Sequence, residues 1–270
     1  MAMDFLIEPK DLLDQAQGGE VLIVDCRKPS DYAKGHIPGA INFSTYKTFA
    51  TDTRPAGLAA FARDVSILYA NAGISPNRSI VLYDDDTGMY AARDAWILQY
   101  LGHSRIQILH GGLAAWRAAK CDLSAEEAGE WTVAMRVRER PEMVIGFEEI
   151  AARLGRPDLT LLDVRDADEH AGRDKTACCA RRGYIPGSVW IEWTRFLEGG
   201  RFKPAEAILG LLRESGVDPD SEIVPYCHRG ARSANTFYAL RLAGLKSRNY
   251  IGSWHEWSAR SELPIEKGGT

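Results

Sequence analysis

The run Ile223-Val224-Pro225-Tyr226-Cys227-His228-Arg229-Gly230-Ala231-Arg232-Ser233 holds the residue types from which thiol chemistry is built. The β-branched Ile223 and Val224 read as a short strand ending on Cys227, and from Ser233 onward Phe237, Leu240 and Leu242 read as a helix. Between strand and helix the backbone must turn sharply, and Gly230 is the residue that permits it. A cysteine in such a turn faces unpaired backbone N–H groups and the positive end of a helix dipole. Arg229 and Arg232 add two permanent positive charges. All of these favour thiolate over thiol, so Cys227 is expected to have a lowered pKa and to be a nucleophile at neutral pH. A lone cysteine closing a core strand is more often inert packing. Here two guanidinium groups crowd the same short loop, and a core loop has no use for them without an anion to bind.

The elements around this loop alternate along the whole chain. Val21–Asp25 is a β-rich run, followed by the turn Lys28-Pro29-Ser30 and the ordered loop Gly35-His36-Ile37-Pro38-Gly39-Ala40. Leu58–Tyr69 reads as a helix, Ser79–Tyr83 as a buried strand ending at Asp84, and Ala91–Leu101 as a helix closed by Gly102. Ile106–Leu109 is a further strand, and Gly111-Gly112-Leu113-Ala114-Ala115-Trp116 turns into another helix. Such alternation predicts an α/β fold: a mainly parallel sheet with helices on both faces.

The second half repeats this order. Leu161-Leu162-Asp163-Val164-Arg165 matches Ile23-Val24-Asp25-Cys26-Arg27, and Gly183-Tyr184-Ile185-Pro186-Gly187 matches Gly35 through Gly39. Tyr226-Cys227 matches Tyr83-Asp84, and Gly252-Ser253-Trp254-His255-Glu256-Trp257 matches Gly111 through Trp116. Asp163 follows Asp25 by 138 residues and Gly183 follows Gly35 by 148, so the period drifts as loop insertions in a duplicated domain would make it. The largest drift is a charged insertion, Ala171 to Arg182. The expected division is a first domain over 1–122, a linker over 123–141 and a second domain over 142–270. The linker begins polar and acidic, and Trp131 to Val137 alternates enough to pack as a strand.

Composition narrows the field. The chain has 270 residues, 45% of them hydrophobic and 26% charged, as expected for a soluble globular protein with real cores. A net charge of −4 gives no broad electrostatic case for nucleic acid or an anionic membrane. Met1 to Lys10 carries Asp4 and Glu8 and no long apolar run, which argues against a signal peptide or membrane anchor. Five cysteines without framework spacing point to reduced thiols, hence to the cytoplasm. Cys178 and Cys179 are adjacent, poor geometry for two ligands on one metal; incidental thiols are the favoured reading, a redox or sulfur-relay role the alternative. The six histidines form no pattern.

Taken together, the paired Asp-x-Arg strands, the Gly-x-Ile-Pro-Gly turns, the Cys227 loop and the Trp-terminated turns resemble the rhodanese family in its tandem, two-domain form. The resemblance covers nearly the whole chain. It implies two similar α/β domains, only the C-terminal one catalytic, with no cofactor or metal. The family's cysteine takes a sulfane sulfur from a donor such as thiosulfate or 3-mercaptopyruvate and passes it, as a persulfide, to cyanide or another thiophilic acceptor. Cys227 would be the nucleophile, and Arg229, Arg232, His228, Gly230 and Ala231 would bind the donor. Arg232 could equally tie the loop to a carboxylate, and a lone His228 is more often neither anion binder nor proton shuttle. In the first copy the cysteine position is Asp84, within Tyr83-Asp84-Asp85-Asp86-Thr87-Gly88; a carboxylate cannot carry a persulfide, and a plain solvated turn is the other reading.

Loop length separates related chemistries. Phosphatases and arsenate reductases of similar fold place five residues between Cys and Arg; here four separate Cys227 from Arg232, a smaller cradle suited to one terminal sulfur. The loop also departs from the Cys-Arg-Lys-Gly of thiosulfate enzymes and the Cys-Gly-Ser-Gly of mercaptopyruvate enzymes, and Glu169 stands where those enzymes carry a substrate-binding arginine. Two guanidiniums favour thiosulfate as donor. Arg27 and Arg165 recur in both copies, so they are expected to pair with carboxylates at the strand ends. Trp190 and Trp193 are expected in the core. A persulfide carrier delivering sulfur to a protein partner is the alternative, and the working unit is expected to be a monomer.

Overall fold

The computed structural model describes residues 5–19, 21–74, 78–129, 133, 137–174, 179 and 181–267. The chain forms two compact units that exchange short segments. The first comprises Met1–Thr48, Ala62–Arg140 and Gly199–Phe202; the second comprises Phe49–Phe61, Pro141–Glu198 and Lys203–Thr270. Neither exchanged segment was legible in the sequence, which placed a single crossing near Pro141.

In the first unit β1 (Leu6–Ile7), β2 (Val21–Asp25), β3 (Ile41–Asn42), β4 (Ser79–Tyr83) and β5 (Ile106–Leu109) form a parallel sheet in the order β1-β5-β4-β2-β3. Every residue of β2 is buried, and so are Ile80 to Tyr83 of β4. Unbroken Val/Ile/Leu runs of this kind belong in parallel strands covered on both faces. In the second unit β6 (Leu159–Asp163), β7 (Val189–Trp190) and β10 (Glu222–Tyr226) pair in parallel in the order β10-β6-β7. The short strands β8 (Leu197–Glu198) and β9 (Arg201–Phe202) lie between β7 and β10 in sequence. Leu161, Val224, Tyr226, Trp254 and Trp257 share the core of this unit.

The repeated motifs turn out to be one structural device used twice. Arg27 donates to Asp25 through Nε and Nη2 and to the Gly35 carbonyl at 2.9 Å. Arg165 does the same with Asp163 and the Gly183 carbonyl at 2.8 Å. The tyrosine closing the partner strand accepts the N–H of the turn isoleucine, Tyr83 from Ile37 and Tyr226 from Ile185, both at 3.1 Å. The expected pairing of Arg27 and Arg165 with strand-end carboxylates therefore holds. It fixes the Gly-x-Ile-Pro-Gly turn against the sheet in each copy.

Three expectations fare differently. The helix after the Cys227 loop begins at Ala231, two residues before Ser233, because Gly230 in a left-handed conformation already caps it. Trp190 and Trp193 are half-buried rather than core; Trp190 spends its indole N–H on the Arg165 carbonyl at 2.8 Å. The strand expected over Trp131 to Val137 lies largely outside the described residues, and Val137 itself is exposed outside any strand.

Candidate active site

β10 delivers the chain to Cys227, and the helix Ala231–Leu242 carries it away. Gly230 makes the connection possible at φ +85°. A Cβ there would come within 2.5 Å of the Ile251 side chain and 2.7 Å of its carbonyl oxygen. The curled loop brings the Gly230 N–H back to Cys227 Sγ at 3.1 Å. Ser253 closes the other side: its Oγ accepts the Cys227 N–H at 3.1 Å and lies 3.9 Å from Sγ. Trp254 N–H donates to the Cys227 carbonyl and His255 N–H to that of His228, so one turn pins both loop residues.

Cys227 is 1% exposed. Burial pushes its thiol pKa up, but the Arg232 charge, the Ser233 N–H and hydroxyl and the Arg229 N–H more than offset this, and the net shift is downward. Cys26, at the end of β2, provides a control within the same chain. It is also buried, and burial together with the charges of Asp94, Asp84 and Asp25 raises its pKa well above the usual thiol value. Burial raises the pKa of both thiols, and at Cys227 the Arg232 charge and the loop donors reverse the sign.

The two arginines do different things. Arg232 is committed: it donates to Glu169 Oε1 at 2.9 Å and Oε2 at 2.5 Å and to Asp166 Oδ1 at 3.0 Å. Those acids are the N-cap and third residue of the short helix Ala167–His170, a capping box turned toward the loop. Its charge still acts on Cys227, but its donors are largely occupied. Arg229, by contrast, forms no ion pair among the described residues, and its Nε is buried without a hydrogen-bond partner. His228 is held near neutral form by burial and by Arg229 and Arg232, its pKa lowered to about 4. Ala231 is buried as the first residue of the helix. Thus the Gly230 N–H meets the Cys227 sulfur directly and the Arg229 N–H also favours the thiolate, whereas Arg232 acts through charge.

In the first unit the equivalent position presents Asp84, 3% exposed, not a solvated turn. Its Oδ2 accepts the N–H groups of Tyr90 and Ala91 at the start of the helix Met89–Tyr100. Burial raises its pKa to about 8, further helped by Asp86 and Asp94. The carboxylate itself takes the place that Cys227 fills in the second unit, and no group of three or more described His, Cys, Asp or Glu residues could hold a metal ion.

A rhodanese-like domain pattern matches this chain twice, over residues 8–119 and 147–260. The chain belongs to the rhodanese family. It is 34% identical to a thiosulfate sulfurtransferase of Azotobacter vinelandii, covering 98% of each chain. It is 31% identical to a probable 3-mercaptopyruvate sulfurtransferase of Pseudomonas aeruginosa, covering 97% of this chain and 98% of that one. The fold also matches the structure of an anaerobic ergothioneine biosynthesis enzyme from Chlorobium limicola in complex with trimethyl histidine. That match has a TM-score of 0.87 at 22% identity and covers 99% of this chain and 71% of the other. As a rhodanese the chain has the expected tandem architecture.

Sequence reasoning missed Ser253, yet a signal was present. Ser253 matches Gly112 of the first copy, and both adopt a left-handed backbone, φ +53° and +55°. A serine in a glycine's place, at a strained φ, marks a side chain retained for its hydroxyl. Cys179 is half-buried against the second core and lines a cavity of about 20 Å³ with His228 and Trp254, room for one water-sized group. Cys178 lies outside the described residues.

Proposed function

We propose that this rhodanese is a sulfurtransferase that moves the outer sulfur of thiosulfate to cyanide or another thiophilic acceptor through a persulfide on Cys227. The observation that carries the reading is a fully buried cysteine whose pKa is nonetheless lowered, with the Gly230 N–H 3.1 Å from its sulfur. The Cys227 thiolate attacks the outer sulfur of thiosulfate; the S–S bond of the donor breaks and sulfite leaves with the electron pair. The new terminal sulfur carries a negative charge that the loop N–H groups are disposed to stabilise. The acceptor then attacks that sulfur, and the Cys227 thiolate is regenerated.

Arg229 is the donor-binding cation in this scheme, with His228, Gly230 and Ala231 shaping the cradle, and Arg232 keeps the cysteine ionised. Chemistry resides in the half from 142 to 270; the half from 1 to 122, with Asp84 in the cysteine's place, is structural, and 123–141 joins them. We take the protein to act as a monomer in the cytoplasm; no described helix is long and apolar enough to cross a membrane.

Intact mass after incubation with thiosulfate, or separately with 3-mercaptopyruvate, tests the scheme. One added sulfur from thiosulfate on the parent chain and none on Cys227→Ser is the expected result. Loading from mercaptopyruvate alone would reassign the donor, and loading only from a protein persulfide would make the chain a carrier. Arg229→Ala should raise KM for thiosulfate with little change in kcat, since it removes ground-state anion binding.

A further inference from the structure

We propose that Phe49 is a positioning residue for donor recognition, its ring fixing the Arg229 guanidinium in the orientation that receives the anionic donor. The proposal rests on the sulfurtransferase reading of the Cys227 loop and identifies what organises its anion site. Phe49 opens the segment Phe49–Phe61, which comes from the first half of the sequence but packs within the second unit. That segment is fastened by buried bonds. Thr53 N–H and Oγ1 donate to the two oxygens of Glu256, each at 2.7 Å, and Thr53 Oγ1 accepts the Phe147 N–H at 3.0 Å. Asp52 accepts from Arg260 at 3.1 Å, and Arg260 also donates to Glu256 at 3.0 Å. Glu256 lies on the helix Ser253–Ala259, which also supplies the Ser253 hydroxyl to Cys227. The segment is therefore bonded to the same helix that supports the nucleophile.

Held this way, the Phe49 ring meets His255 edge-on, 5.0 Å between centroids at 73°, and lies under Arg229 with the guanidinium carbon 4.3 Å from its centroid. An aromatic face orients a guanidinium without consuming any of its N–H donors. Arg165, Arg181 and Arg232 are oriented by carboxylates or carbonyls, which occupy those donors. Arg229 alone of these four has no such partner, and its buried Nε is left unsatisfied. A buried donor of that kind is costly until an acceptor arrives. The arrangement fits a compact oxyanion such as the sulfonate end of thiosulfate.

The test is a double-mutant cycle on thiosulfate binding, measured by calorimetry on the full chain carrying Cys227→Ser so that no turnover intervenes. Phe49→Leu should weaken binding roughly three- to tenfold, the range expected of a partly desolvated cation–π contact, while Phe49→Trp keeps it within about twofold. Added to Arg229→Ala, Phe49→Leu should cost nothing further. In the active chain Phe49→Leu should raise KM by a similar factor and leave kcat within about twofold. Unchanged binding in Phe49→Leu with a native melting curve, multiplying losses in the double variant, or no measurable thiosulfate binding to the Cys227→Ser parent would each overturn the proposal. Failure of the parent chain to gain a sulfur on Cys227 would overturn the sulfurtransferase reading separately, because the binding cycle does not depend on it.

Discussion

Asp84 and Cys227 stand at the same point of two copies of one fold, and the contrast between them separates what the frame does from what the residue does. Each follows a buried tyrosine at the end of a strand paired to the Asp-x-Arg strand. Each has its carbonyl bonded at 2.9 Å by an N–H of the following Gly-type turn, from Leu113 in one and Trp254 in the other. In both places backbone N–H groups at a helix start point at the side chain. With Arg232 nearby the thiol pKa falls. At Asp84 burial, helped by Asp86 and Asp94, raises the carboxyl pKa to about 8. The frame supplies a site for a negative charge, and burial together with the neighbouring side chains decides whether one is present at neutral pH.

The comparison can be broken at several points. Cys227→Ser should take sulfur transfer to background while preserving the melting curve; substantial residual thiosulfate–cyanide turnover would show that the sulfur is handled elsewhere. Arg232→Ala removes a positive charge that lowers the thiol pKa of Cys227, so the rising limb of the kcat/KM–pH profile should move to higher pH. At neutral pH the rate should then fall about tenfold for each unit the thiol pKa rises. A profile that drops in height without moving would mean that Arg232 acts only by holding the loop.

Ser253→Gly gives the second copy the turn of the first. Glycine tolerates the φ of +53° there, so the change tests the hydroxyl rather than strain. A drop in kcat on the order of tenfold is expected, below the usual cost of losing an oxyanion-hole donor because the 3.9 Å contact is long. Stability should fall by about 1 kcal/mol as the Cys227 N–H loses its acceptor. Unchanged kcat would reduce Ser253 to a structural part.

The smallest effect on activity is expected from Asp84→Asn, which should leave turnover nearly unchanged and act on stability alone. Because the folded pKa of Asp84 lies above its unfolded value near 3.8, its contribution is complete below about pH 4 and is lost as pH rises through 8. Asn cannot ionise, so the fall in Tm across pH 4 to 8 should flatten. An identical Tm–pH slope in the variant would contradict a buried, protonated Asp84, and a collapse of activity with normal melting would mean that the first copy takes part in the chemistry.

Much of this was legible in the sequence, for a physical reason. Parallel strands buried on both faces must be continuous apolar runs, and a turn that needs positive φ or close packing must carry glycine, so Val21–Asp25, Ser79–Tyr83, Gly230 and the two Gly-x-Ile-Pro-Gly turns announce themselves. The duplication followed from the same local constraints, and so did the cysteine at a strand-to-helix turn. What the sequence left open depends on partners distant along the chain. Whether Arg232 faces a donor or a carboxylate is decided by Glu169, 63 residues away, and Arg229 lies over the ring of Phe49, which offers no acid. Thr53 and Glu256 are 203 residues apart, yet their two bonds fix the segment that carries that ring. Local propensity is written residue by residue; the charge and orientation of a buried guanidinium depend on whatever the fold brings within a few ångströms of it.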